Sequence, residues 1–134
     1  MKKIIALLIL QIILVSCTTY PAGAMSSDTA PEQWCAQMGG ENHFQLQGEA
    51  PIHCLTDQYA IEAMPAHRWA EAIGLTLYYA ELTGREPGVV LLMQEGEQDT
   101  PHLLRLLGAI KASPKRWRVW VKTQNQELQA VSEQ

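Results

Sequence analysis

Three side chains between residues 50 and 70 have the types and the order that metal or acid–base chemistry uses. Glu62 lies on a predicted strand, Arg68 lies at the head of the helix that follows, and His53 lies on the preceding strand. A carboxylate can hold Mg²⁺, and a carboxylate with an imidazole suits Zn²⁺ or Mn²⁺. Arginine stays charged, so it can contact an anion but cannot act as a general base. The simpler alternatives, which we favour, are a satisfied surface or strand histidine and a Glu62–Arg68 ion pair between strand and helix.

Short apolar patterns predict the elements around His53 and Glu62. A short helix begins at Pro31 and is stopped by Gly39-Gly40, and strands follow over residues 41–49, 52–57 and 58–64. Alternation predicts that the third strand is half buried. Its inward side chains are expected to be Tyr59, Ile61 and Ala63.

An apolar stripe at helical spacing predicts a helix over residues 65–82. Pro65 suits the first helical position, and Gly84 suits the position after the end. Gly74 within the helix costs about 1 kcal/mol in helix propensity, so we expect it to pack closely against a sheet. We also expect the aromatic residues of this helix to lie in the core: Trp69, Tyr78 and Tyr79.

The second half of the chain continues the alternation of strands and helices. Residues 88–94 form an apolar run typical of a strand covered on both faces, and residues 117–123 alternate as a half-buried strand. Between them, Thr100 before Pro101 predicts a helix cap and start. The inward residues of that helix are expected to be Leu103, Leu106, Leu107 and Ile110. The predicted order is α-β-β-β-α-β-α-β, an α/β fold with a mixed sheet flanked by helices.

The segments "CLT", "AIE", "WAEAIG", "LYYA", "TG" and "PGVVLLM" occur in this order between residues 52 and 121. Their arrangement resembles small bacterial proteins of the restriction-endonuclease-like fold, the PD-(D/E)XK nuclease superfamily. The resemblance implies that Glu62 is a metal-binding carboxylate and that Arg68 stands at the basic catalytic position. It also implies a divalent metal such as Mg²⁺ or Mn²⁺ in an active relative.

The departures from this family lie where the chemistry would be. His53 stands at the first metal carboxylate, Met64 at the second acidic position, and Leu75 at a helix glutamine. Phosphodiester cleavage needs several carboxylates to hold the metal, so we interpret the nuclease site as dismantled, with Glu62 and Arg68 as remnants. The position of Met64 is alternatively a helix cap in relatives. His53 and Glu62 are the weak candidates for a remaining metal site, and the other histidines are expected to be scattered and solvated: His43, His67 and His102.

The N-terminal sequence predicts export and a lipid anchor. Lys2 and Lys3 precede an apolar run from Ile4 to Ser16, which has the length of a signal-peptide core. Leu14 to Cys17 resembles a bacterial lipobox, in which the cysteine is acylated with chains such as palmitate. Cleavage after Ala24 is the alternative. Thr18, by resemblance to other lipoproteins, predicts the periplasmic side of the outer membrane.

Charge argues against nucleic acid as a partner. The net charge is −4, and removal of the two signal lysines makes it about −6, which gives little gain from counterion release. Residues 115–118, "KRWR", are a local exception, which we interpret as a solvated strand edge. The expected contacts are the membrane, through the lipid, and an unspecified envelope protein.

Cysteine parity predicts a disulfide. With Cys17 acylated, Cys35 and Cys54 remain as a pair, and an oxidising periplasm permits their linkage. The chain-entropy model assigns such a loop roughly 3 kcal/mol. Free thiols or metal ligation are the alternatives.

These features divide the chain into four parts: residues 1–16 as signal peptide, 17–31 as acylated N-terminus and tether, 32–123 as one α/β domain, and 124–134 as a polar, frayed tail. Three functions compete for the domain. We favour a non-catalytic envelope lipoprotein module with a structural or interaction role. The alternatives are a metal-dependent nuclease with a rearranged site and a small anion-binding domain at Arg68 and Glu62.

Overall fold

The computed structural model describes residues 30–133, in which a six-stranded mixed β-sheet is covered by helices. The strands are β1 Glu41–Phe44, β2 Ile52–Leu55, β3 Tyr59–Pro65, β4 Glu86–Met93, β5 Arg118–Thr123 and β6 Gln129–Glu133. The helices are α1 Ala30–Gln37, α2 Trp69–Thr83 and α3 Thr100–Ile110. The predicted signal peptide, Cys17 and residues 18–29 of the tether lie outside the described residues.

The strands are neighbours in the order in which they occur in the chain. β1, β2 and β3 form an antiparallel meander, β3, β4 and β5 run parallel, and β6 is antiparallel to β5. The two parallel connections advance in the same direction and share the right-handed sense of such crossovers. Their helices, α2 and α3, therefore lie on one face of the sheet and pack against each other. The α/β class and the mixed sheet predicted from the sequence are confirmed.

Each face of the sheet has its own apolar cluster. On the face under α2 and α3, Leu91, Val119 and Leu106 are fully buried in a shared cluster. On the opposite face, α1 contributes Trp34 and Cys35 to a cluster with Trp120. Because both faces are covered, the central strand β3 is buried continuously from Ala60 to Met64, and the expectation of a half-buried strand is wrong.

A disulfide joins α1 to β2, as cysteine parity predicts. Cys35 and Cys54 are bonded, with a Cα–Cα distance of 5.7 Å, and both are fully buried. Gly40 lies directly against this bond: a Cβ at that position would stand 2.6 Å from Sγ of Cys54 and 2.8 Å from Sγ of Cys35. Only glycine lets the chain leave α1 past the disulfide and enter β1.

Two expectations about α2 are wrong. Pro65 ends β3 instead of opening the helix, and a 3₁₀ turn, Ala66–Arg68, precedes Trp69. A strand end tolerates proline because no ladder donor is needed there. Gly74 is exposed, with nothing within 4 Å of the place a Cβ would occupy, so it lies on the solvent side of the helix and not against the sheet.

The structure also departs from prediction at the start of α3 and at the C-terminal segment. Asp99 occupies the position before α3, and Thr100 is the first helical residue. The predicted frayed tail is wrong for Gln129–Glu133, which pairs with β5 as an edge strand. β6 is held by backbone hydrogen bonds to β5, and an edge strand has little apolar surface to bury. Its polar sequence therefore gives no pattern from which a strand could be predicted.

Candidate functional site

Glu62 occupies the middle of the central strand and is almost completely buried, at 2 % exposure. It lies opposite Val89 of β4 and, by strand alternation, on the same face as Ala60 and Met64, under α2. A buried carboxylate requires a partner, because transfer of an unpaired charge from water costs many kcal/mol. The partner identifies what this position does.

His53 satisfies both oxygens of Glu62. Its ring Nδ1 hydrogen-bonds to Oε2, and its backbone N–H donates to Oε1 at 3.3 Å. An ionised carboxylate only accepts hydrogen bonds, so Nδ1 carries a proton, and the neutral tautomer of His53 keeps Nε2 as its acceptor. The His53 side chain is 34 % exposed. The pair is thus a buried carboxylate that orients a half-buried imidazole.

The pair also sets the proton affinity of the imidazole. The hydrogen bond that His53 donates to Glu62 raises the pKa of His53 above 6.5, and the negative charge of Glu62 acts in the same direction. Burial of the ring and the positive charge of Arg68 oppose this and lower the pKa, but they do not cancel it. His53 therefore keeps its positive charge to a higher pH than an ordinary histidine.

Two tyrosines of α2 hydrogen-bond to the β1–β2 connection beside the site. The Tyr79 hydroxyl donates to the carbonyl of Ala50 at 3.2 Å. Burial raises the pKa of Tyr79, as do the charges of Glu62 and Glu49. Tyr78 donates to Glu49 at 2.8 Å and is 46 % exposed. The prediction of a core position is confirmed for Tyr79 and wrong for Tyr78, which tethers the β1–β2 connection from outside.

Arg68 does not pair with Glu62, contrary to the expected ion pair. Its guanidinium makes two hydrogen bonds to Glu71, at 2.8 and 2.5 Å. These residues are three positions apart at the start of α2, where side chains are neighbours on the surface. Glu62 is buried in the strand beneath. Local pairing on the helix therefore takes precedence over the predicted bridge to the strand.

The other two side chains singled out from the sequence, Met64 and Leu75, contribute to packing. Met64 is buried in the cluster under α2, and Leu75 packs against the two clusters on this face of the sheet. Within residues 30–133, no group of three or more His, Cys, Asp or Glu side chains stands together as metal ligands. His53 and Glu62, the weak candidates for a metal site, are hydrogen-bonded to each other.

Of the histidines expected to be scattered, His43 is next to the site. It lies on β1, and its ring centroid is 6.2 Å from that of His53. His43 also has a positive φ of 51°, which is uncommon for a non-glycine residue. The sequence contains a signal for this contact: His43 and His53 are equidistant from Gly48, the turn glycine of the β1–β2 hairpin, so its register places them opposite each other.

A second polar region lies beside the first residues of β3 and β5. An open pocket of about 540 Å³ is bordered by Met38 and Gly39, by residues 56–59, and by Arg118 and Trp120. The guanidinium of Arg118 lies 5.8 Å from the Trp120 ring centroid. The sequence alone does not indicate this pocket, because its walls come from three separate parts of the chain. Lys115 of the basic "KRWR" segment pairs with Glu81 of α2 at 3.2 Å.

No protein-family model, curated protein or solved structure matches this chain. Among the helices within residues 30–133, none is long and apolar enough to cross a membrane. The geometry of His53, Glu62 and their neighbours is therefore the basis on which a function can be assigned.

Proposed function

We propose that this protein is a lipid-anchored module of the cell envelope, in which a nuclease-like domain has a structural or interaction role and does not cut nucleic acid. The observation that carries the proposal is the pairing of Glu62, the acidic remnant, with His53. Both carboxylate oxygens are hydrogen-bonded to His53. A Mg²⁺ ion would have to displace these bonds and would find an imidazole where a second carboxylate is needed.

The side chains at the other departures support the same proposal. Met64 and Leu75 contribute to packing beneath α2, and Arg68 is paired with Glu71 on the surface. Each position that would serve the metal or the scissile phosphate thus has a stabilising role within the fold. The acidic net charge of −4 adds repulsion of a polyanion.

Attachment to the membrane follows from the N-terminal sequence. An acylated Cys17 and the short polar segment after it would hold the domain at the periplasmic side of the outer membrane. Labelled palmitate should enter the wild-type protein and should not enter Cys17→Ser. A mature chain that begins after Ala24 without lipid would contradict the anchor.

A nuclease assay tests the proposed lack of catalysis. Full-length protein in detergent should leave single- and double-stranded DNA and RNA intact with Mg²⁺ or Mn²⁺. Glu62→Gln is the matched control, because it removes the carboxylate charge with little change in shape. Cleavage that requires the divalent ion and disappears in Glu62→Gln would establish the alternative, a nuclease with a rearranged site.

The nuclease-like geometry has a separate test. His53→Asp places a second carboxylate beside Glu62, whereas His53→Asn has the same shape without the charge. If the scaffold is nuclease-like, Mn²⁺ should bind to the aspartate variant and not to the asparagine variant in calorimetric titrations. Equal behaviour of two folded variants would argue against the geometry and leave the absence of cleavage unaffected.

A further inference from the structure

His43 and His53 form a pair of imidazoles on the β1–β2 hairpin that the proposed function does not use. The register Asn42↔Cys54 and Phe44↔Ile52 places the two histidines directly opposite each other. Residues that are opposite on antiparallel strands share a face and can interact. The measured centroid separation of 6.2 Å agrees with this placement.

Glu62 prepares His53 for metal binding without being a ligand itself. Metal-binding histidines commonly donate one ring N–H to a carboxylate, which holds the ring in place and makes the other nitrogen a better ligand. His53 has this arrangement, because Nδ1 is held by buried Glu62. Nε2 is the ring nitrogen that remains for an ion.

His43 is the more exposed of the two histidines. It is exposed and lies on β1, an edge strand, so solvent can reach an ion bound beside it. In the tetragonal coordination that Cu²⁺ prefers, metal–nitrogen bonds of about 2 Å at adjacent positions place two ring centroids roughly 4.5 Å apart. A movement of the exposed His43 ring by about 2 Å toward His53 would meet that requirement.

We propose that His43 and His53 bind one transition-metal ion, Cu²⁺ in preference to Zn²⁺, through one imidazole nitrogen each. Water completes the coordination on the solvent side, and Glu62 acts as a positioning residue behind His53. Imidazole ligands suit copper and zinc, and Cu²⁺ binds more tightly than Zn²⁺ in the general affinity order of divalent metals. This site lies between β1 and β2, and it differs in ligands and in metal class from a carboxylate-bound Mg²⁺ site.

Copper titration of the full-length chain in detergent tests the proposal. Cys17→Ser is included throughout, because it removes the cysteine that lies outside the disulfide as an adventitious ligand. We expect one Cu²⁺ per chain by calorimetry, and pulsed electron paramagnetic resonance should count two coordinated imidazoles. His67→Gln, which removes a histidine elsewhere on the surface, should leave both results unchanged.

The variants separate ligands from the positioning residue. Glu62→Gln should weaken binding by about tenfold or more while two imidazoles remain coordinated. His43→Gln and His53→Gln should each weaken binding further and leave one imidazole. His43 is exposed, so His43→Gln tests the site without a threat to folding. Absence of stoichiometric binding, or an unchanged affinity in His43→Gln, would overturn the proposal.

Discussion

The two faces of the β2–β3 hairpin hold the strands together by opposite means. On one face, Cys54 lies opposite Ile61 and is bonded to Cys35 in an apolar cluster. On the other face, the residues next to these in sequence, His53 and Glu62, form a buried polar pair. A shift of one residue along a strand changes the face, so adjacent positions experience different surroundings.

The two contacts differ in how their contribution to stability depends on pH. The disulfide does not titrate and is enclosed by apolar side chains, so its contribution is independent of pH. The His53–Glu62 pair has an exposed edge and a proton that can leave. The link from β2 to α1 is therefore independent of pH, whereas the side-chain link from β2 to β3 changes in strength with pH.

Removal of the disulfide should have the largest effect on stability. The double variant Cys35→Ala, Cys54→Ala should lose roughly 3 kcal/mol of unfolding free energy, because the unfolded chain regains the entropy of an open loop. Denaturant unfolding of the variant and of the wild type measures the loss. Two thiols that alkylate freely in unreduced wild-type protein would show that the bond does not form.

Crowding on the disulfide face should have the next largest effect. Gly40→Ala places a methyl group within 2.6 Å of a disulfide sulfur and should cost about 2 kcal/mol. Gly74→Ala is the matched control, because that position is open and helical, and it should stabilise the protein by about 1 kcal/mol. Equal effects of the two substitutions on the unfolding midpoint would contradict the packing described for Gly40.

Loss of the polar pair should be smaller and should depend on pH. His53→Gln should cost about 1 kcal/mol near pH 6, which is below the usual range for charged hydrogen bonds because His53 is partly exposed. The folded pKa of His53 is raised. Its contribution is therefore complete below the unfolded pKa of about 6.5 and is lost as pH rises through the folded value.

Denaturant unfolding at several pH values, with a chelator present, measures this dependence. The difference between wild type and His53→Gln should be greatest in mild acid and should shrink as pH rises through the raised folded pKa of His53. The disulfide-free variant should instead lose the same amount at each pH. A wild-type advantage over His53→Gln that grows with pH would contradict the assigned sign.

The smallest expected effect is that of Arg68, which acts on His53 through its charge and not through a hydrogen bond. Its positive charge lowers the pKa of His53, so Arg68→Gln should raise that pKa while leaving the unfolding midpoint nearly unchanged. Titration of the His53 ring protons by nuclear magnetic resonance measures the shift. Arg105→Gln, on the exposed part of α3, should leave the pKa unchanged. A fall in the pKa of His53 in Arg68→Gln would refute the electrostatic assignment.

Much of the fold could be predicted from local patterns. The apolar run at residues 88–94 and the stripe of α3 both report which faces are buried, and the structure confirms both. β6 escaped prediction because a polar edge strand has no comparable periodicity. Pro65 was assigned to the wrong element because a strand end and a helix start both tolerate proline.

The candidate site was predicted less completely than the fold, because its contacts join residues that are far apart in the sequence. Glu62 was singled out from its residue type, but its partner was expected to be Arg68, six positions ahead on the next element. Arg68 instead pairs with Glu71, three positions along the chain in the first turn of α2. Where a charged side chain has a surface partner one turn away, that contact requires no particular tertiary arrangement.

By itself, the amino-acid sequence determined the order of most strands and helices and the cysteines that pair, because periodicity and parity can be read without the fold. Tertiary structure was required to select His53 as the partner of Glu62 and to bring His43 beside it. Both contacts depend on strand register, which is set by packing on two faces of the sheet at once.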